Sequence, residues 1–560
     1  MHVPIRPGAW LLIAVAFSVL WFSGLDARRL HHPDEGRYAE IAREMHATGD
    51  WVTPRLDGVR YFEKPPLQYW MTAATYAAFG VREWTTRLPV AAFGWLAVLA
   101  VGFAGARIAG PLAGLCAAAI LGSCVWHAGI GHFVSLDAVL SGCLALALAA
   151  FLVAQAGVPD DARARRGWMI LAWAAIAAAV LAKGPIGAVI PAGALIVYTA
   201  ISGDLRVWRR LALVPGLAVA ALIAVPWFVV VSMRNAGFAQ FFFVHEHVER
   251  FLTTEHQREG AWWYFLPLLA LGLLPWTALV LLRARAPGDA PPRGAAAFRW
   301  RRFCLAWSLF VLVFFSASGS KLPSYILPMF PALALLLGAR VAASSDRAWI
   351  LFVAALALAS AALAVAAWMG FDVAAARLAT ERTPRALYDA LGPGVKAGVT
   401  VMTLGALAAW ALACRPLLHR RALSVLAVAL GAEAGLMLGF WSNGGLDPSR
   451  STADLVAAAR RDATFDATAP FYQVQLYDQT LPWYLGRTTP VVDYRDELAL
   501  GLDAEPGKGI PTTEDWIHRW QDAPQAYALM APDTTATLAG RGVPLRVVAQ
   551  SPRYVVVARR

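Results

Sequence analysis

Charge is scarce in this sequence. Only 15% of its 560 residues are Asp, Glu, Lys or Arg, against roughly 25% in an average soluble protein, while 58% are hydrophobic. That excludes a soluble globular or disordered chain and leaves an integral membrane protein. Cysteine is scarce as well. Cys116, Cys124, Cys143, Cys304 and Cys414 all lie in or at the ends of apolar runs, in neither a disulfide framework nor a zinc-ligand spacing. Internal repeats are lacking, and the only compositional bias is the Ala and Leu of the apolar runs. The formal net charge of +12 sits in short arginine clusters between those runs, where it orients helices and gives no ground for a nucleic-acid partner.

What is abundant is membrane-length apolar sequence. A span needs about 20 such residues, and the segments 8–25, 87–108, 111–129, 134–155, 167–183, 186–201, 209–233, 262–283, 301–317, 325–341, 347–369, 394–414 and 420–441 qualify, about thirteen in all. The first reads as an uncleaved span, because no small-x-small cleavage pattern follows Leu25. The stretch 66–80, short and rich in Tyr, Trp and Thr, reads as an interfacial juxtamembrane segment.

Positive loops stay in the cytoplasm. Arg163, Arg165 and Arg166; Arg206, Arg209 and Arg210; the arginines of 283–302; Arg340 and Arg347; and Arg415, Arg420 and Arg421 occupy alternate loops. The N-terminus is therefore expected in the cytoplasm, with loops 26–86 and 234–261 and everything beyond 442 outside. Glu433 is the one charged residue in the middle of a span, where such a group costs about 2.5–3.5 kcal/mol; its role stays open. Ion-coupled transporters carry ionisable groups and broken helices near the midplane, so the gathering of polar residues at one face favours a surface site fed from the lipid.

Two domains are expected: a transmembrane domain over 1–441 and a small α/β domain over 442–560, joined by the hinge "SNGGLDPSRS" (442–451). In the second, Ser451 to Arg461 reads as helix, and Phe471 to Leu476 and Tyr554 to Val557 as strands.

The outer loops supply the candidates for chemistry. In "HPDEGRYAE" (32–40) a helix from Pro33 puts Asp34, Tyr38, Ile41 and Met45 on one face, with Glu35, Arg43 and Glu44 elsewhere. Asp34 is there either a simple helix cap or a functional carboxylate. "YFEKPPLQYW" (61–70) sets Glu63 and Lys64 before two prolines, suited to a lipid phosphate or to a snorkelling ion pair. Asp137 opens the fourth span, as a cap shared with Ser135 or as a second carboxylate; Lys183 ends a helix; Lys321 and Tyr325 sit at an interface. The segment 241–265 carries His245, His247, Arg250 and His256 among aromatics. Its His-x-His spacing raises a divalent metal held with help from Glu63, although residues two apart on a helix do not face one way. An amphipathic interfacial helix is the structural expectation there.

The motifs "DEGRYAEIAREMHATGDWVTPRLDGVRYFEKPPLQYW" (34–70), "FFFVHEHVERF" (241–251) and "SKLPSYILPMFPALAL" (320–335) closely resemble the lipid A aminoarabinose transferases, polymyxin-resistance glycosyltransferases of Gram-negative inner membranes. The resemblance implies an all-α polytopic GT-C fold of about thirteen spans with periplasmic juxtamembrane helices and a periplasmic α/β domain. It implies transfer of 4-amino-4-deoxy-L-arabinose from undecaprenyl phosphate to lipid A phosphate. Carried over by motif, Asp34 and Asp137 would lie near the transferred sugar, Glu63 and Lys64 beside the carrier phosphate, and Arg250 and Tyr325 around the same cavity, with Arg37, Tyr38 and Tyr61 as neighbours and Lys183 and Lys321 in support. No cofactor is required by this reading, with a divalent metal as an option. The alternatives are transfer of another sugar, galactosamine or mannose, to lipid A or protein, and a flippase for a lipid-linked sugar. Oligomeric state is not legible.

Overall fold

The computed structural model describes residues 7–158, 160–243, 260–282, 298–416 and 419–559, the side chains of 7–11 excepted. Every one of the thirteen apolar segments carries a helix, but among the described residues nine helices are by themselves long and apolar enough to cross a membrane. The count of thirteen therefore does not follow from length alone. α1 (Pro7–Phe22) and α9 (Ile186–Ser202) are shorter. α5 (Pro111–Ser123) and α6 (Val125–Gly131) form a pair bent by 61°. The eighth segment divides into Phe265–Gly272 and a 3₁₀ turn, Thr277–Leu281, on either side of Pro275, which has no N–H to continue a helix. At the α5–α6 break the N–H of Val125 donates to the Leu274 carbonyl at 3.0 Å, so two interrupted segments satisfy each other's backbone.

α7 (Leu136–Leu152) is the central helix. The apolar window of its span is 94% buried, against 11% for the peripheral helix Asp346–Leu378. Around it stand α4 (Glu83–Ala109), α8 (Ala162–Lys183) and, through a 3₁₀ turn over Pro323–Met329, the helix Phe330–Ala343.

Three elements build the polar face between spans. α2 (Asp34–Thr48) is followed by a hairpin of β1 (Arg55–Leu56) and β2 (Val59–Arg60), then by α3 (Leu67–Phe79), a short helix over the stretch expected to lie at the interface. α2 departs from the one-sided amphipathic expectation: Tyr38, Ile41 and Met45 are buried, but so are Glu35, Glu40 and Glu44. Most of it is covered, by α3 and the spans below and by the C-terminal domain above, and its buried acids survive because each has cations or N–H groups to meet.

Residues 442–451 are not a loose hinge. They form two short helical turns, Asn443–Leu446 and Asp447–Arg450, pinned where Asp447 accepts from the Arg29 N–H at 3.0 Å and bonds His31 at 2.8 Å. Beyond them lies a five-stranded sheet in the order β4-β3-β5-β7-β6, made of β3 (Phe471–Val474), β4 (Val491–Val492), β5 (Tyr527–Met530), β6 (Leu545–Gln550) and β7 (Val555–Arg559). β4, β3 and β5 are parallel, and β7 runs antiparallel between β5 and β6. β3 and β5 are buried at every residue because both faces are covered, one by Trp516 and Trp520, the other by Leu455, Val456 and Ala459.

Candidate functional site

Glu35 anchors the polar face. Its carboxylate, wholly buried, takes Arg28 Nη2 at 2.9 Å and Arg87 Nε at 3.0 Å, together with the backbone N–H groups of His31 at 3.0 Å and Val134 at 3.2 Å. Burial by itself would raise its pKa; the Arg28 and Arg87 charges and their hydrogen bonds reverse that and hold it well below the usual carboxylate range. The network ties the start of α2 to the approach of α7, three residues before Asp137.

Asp34 follows Pro33 at the first turn of α2 and makes no cap, since the helix has no side-chain cap. Instead its Oδ1 accepts from Arg37 Nη1 at 2.8 Å, one turn on. Arg37 is shared: its Nε donates to Glu497 of the C-terminal domain, which also accepts from Gln479. The Asp34 side chain keeps 40% exposure while Glu35 has none, so of the two adjacent acids Asp34 is the one open to a ligand. Tyr38, Tyr61 and Tyr69 are buried beside this pair; burial raises their phenols, and the Asp34 charge adds to the effect at Tyr38 and Tyr69, the Glu63 charge at all three. The Tyr61 and Tyr69 hydroxyls have no hydrogen-bond partner among the described residues. Lys64 turns back on its own neighbour, donating from Nζ to the Glu63 carbonyl at 2.8 Å.

Asp137 is likewise not a cap. Ser135 takes that role, its hydroxyl accepting the Asp137 N–H at 3.2 Å. The freed carboxylate pairs with Lys183 at the last residue of α8 and accepts from Ser324 Oγ at 2.9 Å. Lys183 Nζ also lies 4.7 Å from the centre of the Tyr325 ring, a cation–π distance. Lys321 stands apart, donating to the Ser318 carbonyl at 2.7 Å at the end of the helix Trp300–Ala317.

The structure thus brings Asp34, Arg37, Tyr38, Tyr61 and Glu63 into one group, and Asp137, Lys183 and Tyr325 into a second, with Glu35 and Val134 joining the elements that carry them. Arg250, His245, His247 and His256 lie outside the described residues, and with them the metal reading; among the described residues no group of three His, Cys, Asp or Glu is placed to hold a metal ion. Sequence reasoning overlooked Glu35, Arg87, Tyr69, Ser324, Gln479 and Glu497. Ser324 stands beside Tyr325 in a motif already singled out, whereas Glu497 is 460 residues from Arg37 and carries no local signal.

The surrounding fold has known counterparts. Residues 455–559 match the model of the aminoarabinose transferase C-terminal domain. Residues 9–242 match that of the dolichyl-phosphate-mannose-protein mannosyltransferases. An undecaprenyl phosphate-α-4-amino-4-deoxy-L-arabinose arabinosyl transferase of Pseudomonas paraeruginosa is 35% identical over 343 residues, 60% of this chain and 59% of that enzyme. One of Edwardsiella ictaluri is 32% identical over 337 residues, again 59% of each; the aligned stretch therefore spans about three fifths of these relatives. The crystal structure of ArnT from Cupriavidus metallidurans bound to undecaprenyl phosphate superposes with a TM-score of 0.90 at 36% identity, covering 99% of this chain and 98% of that one.

Proposed function

This chain belongs to the aminoarabinose transferase (ArnT) family, and from that premise we propose that it transfers 4-amino-4-deoxy-L-arabinose from undecaprenyl phosphate to a phosphate group of lipid A. The face carrying α2 and the C-terminal domain is then the periplasmic face of a Gram-negative inner membrane, and the basic loops between the other span ends lie in the cytoplasm. The product bears an amine where lipid A bore only negative charge, which lowers its attraction for polymyxin and other cationic peptides.

The observation that carries the reading is the arrangement around α2 and the start of α7. An accessible carboxylate, Asp34, and a second, Asp137, lie on elements locked together through Glu35, with Lys64, Lys183 and the Tyr325 ring on the same face. In the proposed reaction the anomeric carbon–oxygen bond of the donor breaks, its electron pair goes to the carrier phosphate, and an oxygen of the lipid A phosphate forms the new bond to that carbon. The leaving phosphate gains charge. Lys64, Arg250 and the Tyr325 hydroxyl are the groups proposed to meet it, with Glu63 beside them.

No proton need be abstracted from the acceptor, because a phosphate monoester with a second pKa near 6 is already largely ionised at neutral pH. Asp34 is better employed holding the sugar ammonium or steadying oxocarbenium character, and Arg37 fixes its orientation. Asp137 is proposed as the second acid near the sugar, aimed by its contact with Lys183.

Mass spectrometry of lipid A from cells with and without the protein tests the reaction; an aminopentose increment is expected. Unaltered lipid A beside newly glycosylated envelope protein would replace the acceptor, and carrier movement without any product would indicate a flippase. Asp34→Asn tests the mechanism, with loss of transfer at unchanged carrier binding expected. Substantial transfer by that variant would exclude proton abstraction and weaken the charge-holding role.

A further inference from the structure

The C-terminal domain has a cleft of its own. β3 lies between its parallel neighbours β4 and β5. The chain leaves β3 toward β4 and leaves β5 toward the β6–β7 side, so the two connections diverge at the carboxyl ends of adjacent strands. At such a switch point an α/β sheet leaves a crevice in which ligands bind. Here the crevice measures about 470 Å³, within the range of roughly 300–1,000 Å³ for small-molecule sites.

Its lining is polar. Gln475 leaves β3 and Asp493 leaves β4, both in the left-handed region at φ 56° and 50°, a conformation that is costly for residues other than glycine. Gln475 Nε2 donates to Thr513 Oγ1 at 3.0 Å and to Asp493 Oδ2 at 3.2 Å, and Thr513 Oγ1 donates to Asp493 Oδ2 at 2.9 Å. From the far wall Thr534 Oγ1 reaches Gln475 Oε1 at 3.4 Å, across the switch point itself. Asp493 and Asp533 are acidic, and the one arginine, Arg541, is paired with Glu514 at 2.7 Å. The surplus of negative charge disfavours an anion. Carboxylate, amide and threonine hydroxyls offer closely spaced donors and acceptors, the pattern that neighbouring hydroxyls on a sugar ring satisfy.

The cleft also communicates with the α2 face. Residues 475–479 and 493–497 run from it to Gln479 and Glu497; Gln479 donates to Glu497, and Glu497 accepts from Arg37. Four residues span at most about 14 Å, the scale of a few sugar rings. We propose that this cleft binds a neutral or amino-substituted sugar of the core saccharide that the acceptor glycolipid carries beyond its lipid A, so that the core is gripped by the C-terminal domain while the lipid A phosphate is presented beside Asp34. The assignment of the sugar to the acceptor rests on the transfer reading above.

The test uses the full chain in nanodiscs with two acceptors, lipid A and lipopolysaccharide carrying its core sugars, and the variants Asp493→Asn and Thr534→Val. Asn tolerates the left-handed backbone of residue 493, and Val keeps the shape of Thr534. The expected result is a KM for lipopolysaccharide at least about fivefold below that for lipid A, with the variants removing the difference while kcat and the lipid A KM stay unchanged. Equal KM values for both acceptors in the unaltered protein would overturn the proposal, as would variants that shift only the donor KM. Saturation-transfer NMR with the free core oligosaccharide released from the lipopolysaccharide separates the cleft from the reaction. Signal that the variants abolish supports carbohydrate binding even if no acceptor is modified, and absence of signal in the unaltered protein counts against the cleft.

Discussion

Arg37 joins Asp34, a half-exposed acid on the second helix, to Glu497, a half-buried acid of the C-terminal domain. A guanidinium donates in two fixed directions from one plane, whereas an ammonium is a point charge on a shorter, flexible stem that does not reproduce that geometry. Arg37→Lys should therefore keep the charge and still lower kcat for lipid A modification by about tenfold or more, equivalent to roughly 1.4 kcal/mol of transition-state stabilisation. Single-turnover transfer with saturating donor measures this; a variant with normal kcat would show that Arg37 does not orient Asp34.

Glu35→Gln addresses the network beneath. Removing one member of a buried ion pair leaves the others uncompensated, at a cost of about 3–5 kcal/mol, and here two arginines, Arg28 and Arg87, would lose their counter-charge. A marked fall in Tm in detergent is expected, larger than for Asp34→Asn. The pKa of Glu35 is depressed on folding, so its stabilisation is present above the unfolded value of about 4.3 and fades only as pH falls below that. Neutral-pH assays lie outside the window.

The opposite sign applies at Asp57. Burial pushes its carboxyl up to about 8; the Thr489 N–H opposes this and the nearby Glu40 reinforces it. Glu40 and Glu44 are raised too, again by burial first. A carboxyl raised on folding gives stability that is full below its unfolded pKa, about 3.9 for Asp, and is lost as pH climbs through the folded value. The docking of the hairpin against Thr489 should weaken between about pH 4 and 8. Asp57→Asn keeps an acceptor for the Thr489 N–H and should flatten that part of the Tm against pH curve; an unchanged slope would assign it to Glu40 and Glu44.

Gly36 is a point of close backbone approach between α2 and the C-terminal domain. A Cβ there would stand 2.7 Å from the backbone carbon of Gln479 and the backbone nitrogen of Thr480, two atoms with no side-chain freedom to retreat. Gly36→Ala should cost about 1–3 kcal/mol through this overlap, despite the better helix propensity of alanine. Faster proteolytic release of the C-terminal domain is the expected readout, with the membrane spans left intact.

The spans were legible because apolar length is a local property, and the alternation of arginine-rich loops gave the sidedness on which the proposed topology rests. Asp34, Glu63, Lys64 and Asp137 stood out because charge is rare here. Their local roles were less legible: Asp34 and Asp137 both looked like helix caps, and what frees them is a prolyl residue before one and Ser135 before the other. The burial of Glu35, Glu40 and Glu44 was invisible, since partners such as Arg87 and Val134 lie 52 and 99 residues from Glu35. The Arg37–Glu497 pair spans almost the whole chain. Helix length alone does not give the span count where proline or a bend divides a segment, as at Pro275 and Cys124.

The wrapping of α2 has a temporal meaning. Its neighbours include the Arg450 carbonyl, which accepts the His32 N–H at 2.8 Å, the Gly486 carbonyl, which accepts from Arg43 at 3.0 Å, and Glu497. All are made late by the ribosome. While the nascent chain threads its bundle into the bilayer, the helix bearing Asp34 waits with one flank bare, and the proposed reaction centre becomes whole only after the last span has crossed and the sheet has closed over it.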